Sequence, residues 1–167
     1  MTMPTAPPYD LPVWSHGGMD VSFRPAAASD VPAVVALIAD DQLGASREIP
    51  QELAPYRDAF DVIESDPNQL LVVGESGGRV IATLQLTFVP GLSRRGAWRA
   101  QIEAVRVEES MRGMGVGERL IRWSIEQARA RGCALVQLTS NATRTDAHRF
   151  YQRLGFVASH TGFKLAL

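Results

Sequence analysis

The sequence predicts an α/β fold of the layered α+β kind. A single mixed, mostly antiparallel central sheet of about seven strands is flanked by about four helices. Three observations carry this expectation. Helical-period stretches are interspersed among short strand-like runs in the order βααβββαβαββ, which suits one sheet covered by helices. Ser76-Gly77-Gly78 between two apolar runs is a hairpin signal, so part of the sheet is antiparallel. A long strand, a helix and an apolar strand then follow one another from residue 98 to 139, the arrangement of a right-handed parallel crossover.

The elements can be justified in chain order. Residues 1–18 (MTMPTAPPYDLPVWSHGG) hold four prolines and no period of either kind, and read as a flexible leader before a domain over 19–167. Trp14 could dock this leader onto the body. Residues 20–24 alternate enough for a first strand. Ser29 or Asp30 caps a helix running to about Asp40, with Pro32 tolerated in its first turn. A second helix over about 51–64 aligns Leu53, Tyr56, Phe60 and Ile63, and Pro67 ends it. Residues 69–75 (QLLVVGE) and 79–89 (RVIATLQLTFV) are the hairpin strands. A loop, PGLSRRG, leads to the long strand 98–107. After a glycine cluster, a helix to about Arg131 carries Val116, Leu120, Ile121, Ser124 and Ala128 on one stripe, and Gly132 stops it. Residues 134–139 form an apolar strand, 146–154 a helix ended by Gly155, and 156–160 with 163–167 a closing antiparallel pair.

Bulk properties narrow the function. At 167 residues the chain suits one domain with a substantial core. A net charge of −1 argues against broad nucleic-acid binding. One cysteine, Cys133, makes no internal disulfide, so a reducing, cytoplasmic compartment is expected. No apolar run approaches the roughly 20 residues of a membrane span, and no secretory signal opens the chain. His16, His148 and His160 are too scattered to suggest a metal.

The stretch VEESMRGMGVGERLI, residues 107–121, is the most informative. Glycine inside a helix costs about 1 kcal/mol against alanine, so Gly113, Gly115 and Gly117 before a helical pattern need a positive reason. A loop whose N–H groups must approach a bulky anion supplies one, because a helix mouth offers unpaired donors and about half a positive charge. The spacing fails the dinucleotide fingerprint, and no Gly-Lys-Ser/Thr follows. What remains is Arg112-Gly113-Met114-Gly115-Val116-Gly117, an R-x-x-G-x-G pattern between a strand and a helix.

On these residues the chain resembles the GCN5-related N-acetyltransferase superfamily. That family's acetyl-CoA signature is Q/R-x-x-G-x-G/A in this place. AHRFYQRLGF, residues 147–156, is similar to its A-x-x-x-Y-x-x-x-G-F helix. The resemblance spans about 21–167. It implies acetyl-CoA as cosubstrate, no metal, and transfer of the acetyl group to a primary amine, with a small-molecule acceptor as the expected partner. The backbone of Arg112, Gly113, Met114, Gly115, Val116 and Gly117 would receive the pyrophosphate. Val105 and Val107 would pair with the pantetheine amides as an added strand does. Tyr151 would protonate the departing thiolate, its pKa of ~10 being suited to that task. The alternative for Tyr151 is an aromatic core residue beside Phe150.

Glu103 is the candidate base or amine anchor, since alternation puts Gln101, Glu103, Val105 and Val107 on one face. A solvated strand charge is the competing reading. Relatives carry asparagine three residues before the motif alanine, where this chain has Arg144. Asn141 either replaces it at the coenzyme or forms a turn. Cys133 reads as core filler, and His148, one helical turn before Tyr151, either lines the groove or is a surface histidine. Arg94, Arg95 and Arg99 would suit an anionic group on the acceptor, while Asp40, Asp41, Glu48 and Glu52 would suit a cationic one. A non-catalytic acetyl-CoA sensor, a protein N-terminal or lysine acetyltransferase, and an enzyme using longer acyl groups all stay open. A strand at 163–167 leaves a homodimer open as well.

Overall fold

A computed structural model describes residues 13–16, 19–40 and 47–167. The strands are β1 (Trp14–His16), β2 (Met19–Pro25), β3 (Gln69–Ser76), β4 (Arg79–Val89), β5 (Trp98–Val107) and β6 (Cys133–Leu138). The helices are α1 (Val31–Ala39), α2 (Ala54–Ser65), a single turn α3 (Ser93–Gly96), α4 (Val116–Ala130) and α5 (Thr145–Arg153). The strands lie in the order β1-β2-β3-β4-β5-β6. Neighbours are antiparallel except β5 and β6, which run parallel with α4 as their crossover.

Helices cover both faces. On one, Val116, Leu120, Ile121 and Ala128 of α4 are buried with Leu70, Val72, Leu84, Leu86 and Ile102 of the sheet. On the other, Val31 and Val35 of α1 and Phe60 of α2 gather with Leu71, the residue between Leu70 and Val72. Strand alternation thus feeds two cores from adjacent positions. The β3–β4 turn is the expected two-residue hairpin, with Gly77 at φ 55° and Gly78 at φ 76°. Arg24 of β2 ties the α1 entrance to the sheet, reaching Asp30 at 2.6 Å and Glu75 at 2.8 Å. The Arg24 guanidinium holds the Asp30 carboxyl below its usual range.

Two expectations need correction. The sheet has six strands among the described residues, not about seven, because the closing pair over 156–160 and 163–167 does not form. An alternating sequence becomes a strand only where a neighbour accepts its N–H and C=O groups. Here Val157, Phe163, Leu165 and Leu167 are all exposed. The second correction concerns the leader. Residues 1–12, 17 and 18 lie outside the described residues, but Trp14–His16 within it is strand β1, paired with Met19–Val21. Asp41 also lies outside the described residues. The PGLSRRG loop contains the left-handed turn α3, with Arg94 at φ 54° and Arg95 at φ 62°.

Candidate active site

The site is prepared by an irregularity in β5. Thr83 of β4 faces Arg106 and Gln85 faces Glu103, so Leu84 alone stands opposite both Ala104 and Val105. This is a β-bulge, and Ala104 takes a left-handed φ of 52° to make it. The bulge also breaks the alternation that would place Gln101, Glu103, Val105 and Val107 on one face. On its other side β5 pairs with β6 only from Trp98 to Ile102. Residues 103–107 therefore run on with β4 on one side and no β6 partner on the other. The acceptors there are met by guanidinium groups: Arg106 Nη1 donates to Val105 O at 2.8 Å, and Arg112 Nε to Val107 O at 3.2 Å. An added strand would offer N–H donors to the same kind of edge.

Beyond β5 the glycine loop turns into α4. Gly113 has φ 79° and Gly115 φ 85°, conformations that side-chain-bearing residues rarely adopt. Gly115 is the N-cap of α4, and the first bond of that helix is Arg119 N–H to Gly115 O at 3.1 Å. The N–H groups of Val116, Gly117 and Glu118 ahead of it have no carbonyl within the helix to bond. Glu118 N–H is a donor that the motif did not single out.

Two of the expected donors are spent elsewhere, since Arg112 N–H bonds Glu109 O at 3.1 Å and Met114 N–H reaches Met111 O at 3.4 Å. Gly117 differs from the other two glycines. A Cβ there would meet Val107 Cγ2 at 3.5 Å and Phe150 Cζ at 3.7 Å, ordinary contacts, and its φ is not left-handed, so neither packing nor backbone conformation demands glycine at 117.

Tyr151 stands on α5, half-buried, with its ring 5.2 Å from that of Phe150 and 5.8 Å from that of Phe156, both edge-on. Burial pushes the phenol above its ordinary pKa, and the charges of Arg144 and Arg106 pull it back in part. Tyr151 is thus a protonated donor at neutral pH. Both Phe150 and Tyr151 are partly buried and pack against the larger core.

Glu103 is exposed, opposite Gln85. The cost of a desolvated carboxylate therefore gives no reason for its presence. Gln101 is tied across the sheet by Gln137, whose Nε2 donates to Gln101 Oε1 at 2.8 Å. Asn141 forms the turn: its Oδ1 accepts from Thr143 N–H at 2.9 Å and Thr143 Oγ1 at 2.8 Å, while its carbonyl meets His148 Nε2 at 2.9 Å. Cys133 is half-buried, and burial raises its thiol pKa, as suits an unreactive filler. Among the described residues no helix is long and apolar enough to cross a membrane.

A pocket of about 300 Å³ opens at the glycine loop, lined by Trp14, Gly113, Met114, Gly115, Glu118 and Arg119. Its donors, its missing Cβ atoms and the β5 edge without a β6 partner would suit a ligand with a diphosphate at one end and a chain of amides at the other.

Comparison with known proteins places the chain among relatives. The model of the acetyltransferase (GNAT) family matches residues 34–156. An aminoalkylphosphonate N-acetyltransferase of Salmonella typhimurium is 36% identical over 112 residues, covering 67% of this chain and 72% of that protein. A glucosamine 6-phosphate N-acetyltransferase of Trypanosoma brucei brucei is 36% identical over 54% of this chain and 59% of its own. Among solved structures, one described as a transcriptional regulator from Bacillus halodurans C-125 superposes with a TM-score of 0.86. It shares 44% identity and covers 88% of this chain and 99% of that one.

Proposed function

The chain belongs to the acetyltransferase (GNAT) family, and we propose that it moves an acetyl group from acetyl-CoA directly to the primary amine of a small molecule within a ternary complex. The observation that supports this most is the junction at the end of β5. There an edge without a β6 partner, two left-handed glycines and the donor mouth of α4 follow one another within fifteen residues, 103–117.

When bound, acetyl-CoA supplies a thioester already activated toward an amine. The chain's own residues then do three things. N–H groups of Gly113, Gly115, Val116 and Gly117 hold the diphosphate, and the β5 edge at Val105 and Val107 orients the amide chain. Tyr151 Oη gives its proton to the sulfur as the C–S bond breaks and the C–N bond forms. Glu103, which stands open to solvent, takes the amine's proton directly or through water. With its Oδ1 engaged in the turn, the Asn141 side chain would offer a ligand its NH₂.

The named substrates of the Salmonella and Trypanosoma relatives each carry an amine beside a phosphonate or phosphate. Arg94 and Arg95 on the left-handed turn and Arg99 on β5 would suit such an anion here. Aminoalkylphosphonates and amino-sugar phosphates are therefore the first acceptors to test, followed by aminoglycosides, polyamines and peptide N-termini. The test is free-thiol release from acetyl-CoA, with and without each amine. Release that depends on an amine is expected. A second reading, a coenzyme sensor without turnover, is favoured by the description of the 44% identical Bacillus protein as a transcriptional regulator. Binding of acetyl-CoA with no release across the whole panel would support that reading and overturn the first.

A further inference from the structure

Strand register sets two opposite charges on the face of the sheet away from α4. Val89 pairs with Arg99, Thr87 with Gln101 and Gln85 with Glu103. The alternate residues Leu84, Leu86 and Ile102 are buried with α4, so Arg99, Gln101 and Glu103 face the side that carries α1 and α2. Those helices gather over Leu71 on β3, whereas Glu103 stays exposed and Arg99 and Gln101 half-buried. The amides around the two charges are bonded to one another across the strands. Gln137 Nε2 donates to Gln101 Oε1 at 2.8 Å, and Gln85 Nε2 to Gln69 Oε1 at 2.9 Å. Among the described residues neither Arg99 nor Glu103 has a hydrogen-bonded or ionic side-chain partner. A Cβ on Gly91 would meet both Arg99 Nη1 and Ala97 O at 3.4 Å, so the guanidinium leans toward the start of β5, away from Glu103.

Four residues along one strand put the two Cα atoms about 13 Å apart, and the side chains rise roughly perpendicular to the sheet. The lean of Arg99 lengthens that span. With a hydrogen bond of about 3 Å at each end, a bridging ligand would hold its amine and its anion roughly 7 Å from one another. An amine and a phosphonate on one carbon lie too close together to reach both. We propose that Arg99 and Glu103 form a two-point gauge for the acceptor. It selects an amine separated from a phosphate by several hydroxyl-bearing carbons, with the Gln101 and Gln137 amides beneath those hydroxyls. Arg99 is then a specificity-determining residue that reads the end of the acceptor remote from the thioester. This rests on the acetyltransferase reading above, in which Glu103 takes the amine's proton.

Steady-state kinetics of the full chain with glucosamine 6-phosphate, glucosamine and aminomethylphosphonate, each with acetyl-CoA, test it. The first should show a kcat/KM about tenfold or more above either of the others, the scale of one charged hydrogen-bonded contact, with the difference lying mostly in KM. Arg99→Gln should bring the ratio of glucosamine 6-phosphate to glucosamine toward one by raising the KM for the phosphate, and Arg99→Lys should restore part of it. A ratio between two substrates does not depend on how much of a variant stays folded, and the ranking in the unmodified chain needs no substitution. Aminomethylphosphonate used as well as glucosamine 6-phosphate or better would overturn the gauge and leave the acetyltransferase reading intact. So would a ratio already near one in the unmodified chain, an unchanged ratio in Arg99→Gln, or turnover only of amines without an anion. Absence of amine-dependent release with every acceptor would instead remove the functional reading, and this inference with it.

Discussion

The two halves of β5 share a strand and almost nothing else. Residues 99–102 are paired with β4 on one side and β6 on the other, with Ala100 and Ile102 buried. Residues 103–107 keep only β4, and none of them is buried. A single left-handed residue, Ala104, separates the halves. The first half is scaffold, and the second is the edge to which we assign the amide chain of the cofactor. A sheet can build a site without a separate loop by interrupting its own pairing.

Substitutions should respect this division. Ile102→Ala in the scaffold half should have the largest effect, lowering unfolding free energy by about 2–5 kcal/mol in denaturant titration. The kcat/KM of the protein that stays folded should be unchanged. Past the bulge, Tyr151→Phe should lower kcat roughly a hundredfold at neutral pH, with little change in cofactor affinity. The pH profile gives a second check. Burial raises the phenol's pKa, so the protonated donor persists above the ordinary tyrosine range of ~10. Activity should fall as pH rises through the raised value, and the phenylalanine variant should lose that alkaline fall. Full activity in Tyr151→Phe would leave water or another group as the acid.

Gly115→Val should raise the KM for acetyl-CoA by about tenfold or more, each lost hydrogen bond to a charged phosphate being worth roughly 1.5–3 kcal/mol. Its side chain would enter the anion site and crowd Trp14. Steady-state kinetics giving the original KM would remove the loop assignment. The smallest effect is expected at the divider. Ala104→Gly keeps the left-handed conformation without the Cβ penalty, and thermal unfolding should show a gain of no more than about 1 kcal/mol with kinetics unaltered. A change in cofactor affinity would show that the bulge needs its side chain.

Much of this division was legible in the sequence. Alternation and helical period located the scaffold strands and the α4 stripe, because burial on one face writes a repeat into the residues. The glycine loop was legible because left-handed backbone selects glycine. The bulge was not: alanine disfavours the left-handed conformation it takes at 104, so nothing in the residue marks the place where β5 leaves the ladder. The strand at Trp14–His16 was hidden among prolines, and its pairing depends on β2 rather than on its own pattern. Residues 163–167 failed in the opposite way. Phe163, Leu165 and Leu167 alternate as a strand does, but among the described residues no neighbouring strand completes the hydrogen bonding. Sequence also could not show which N–H groups of the loop are already used, since the bonds of Arg112 and Met114 depend on the 3-10 turn before them.

The claim on which all else depends is that amides at the mouth of α4 grip the diphosphate of an acyl carrier. Backbone amide NMR during a coenzyme A titration observes those groups themselves. The account predicts that the N–H resonances of Gly113, Gly115, Val116 and Gly117 move furthest, and that those of 98–102 scarcely move. Saturable binding that leaves the four loop amides in place, or no binding at millimolar ligand, would contradict it.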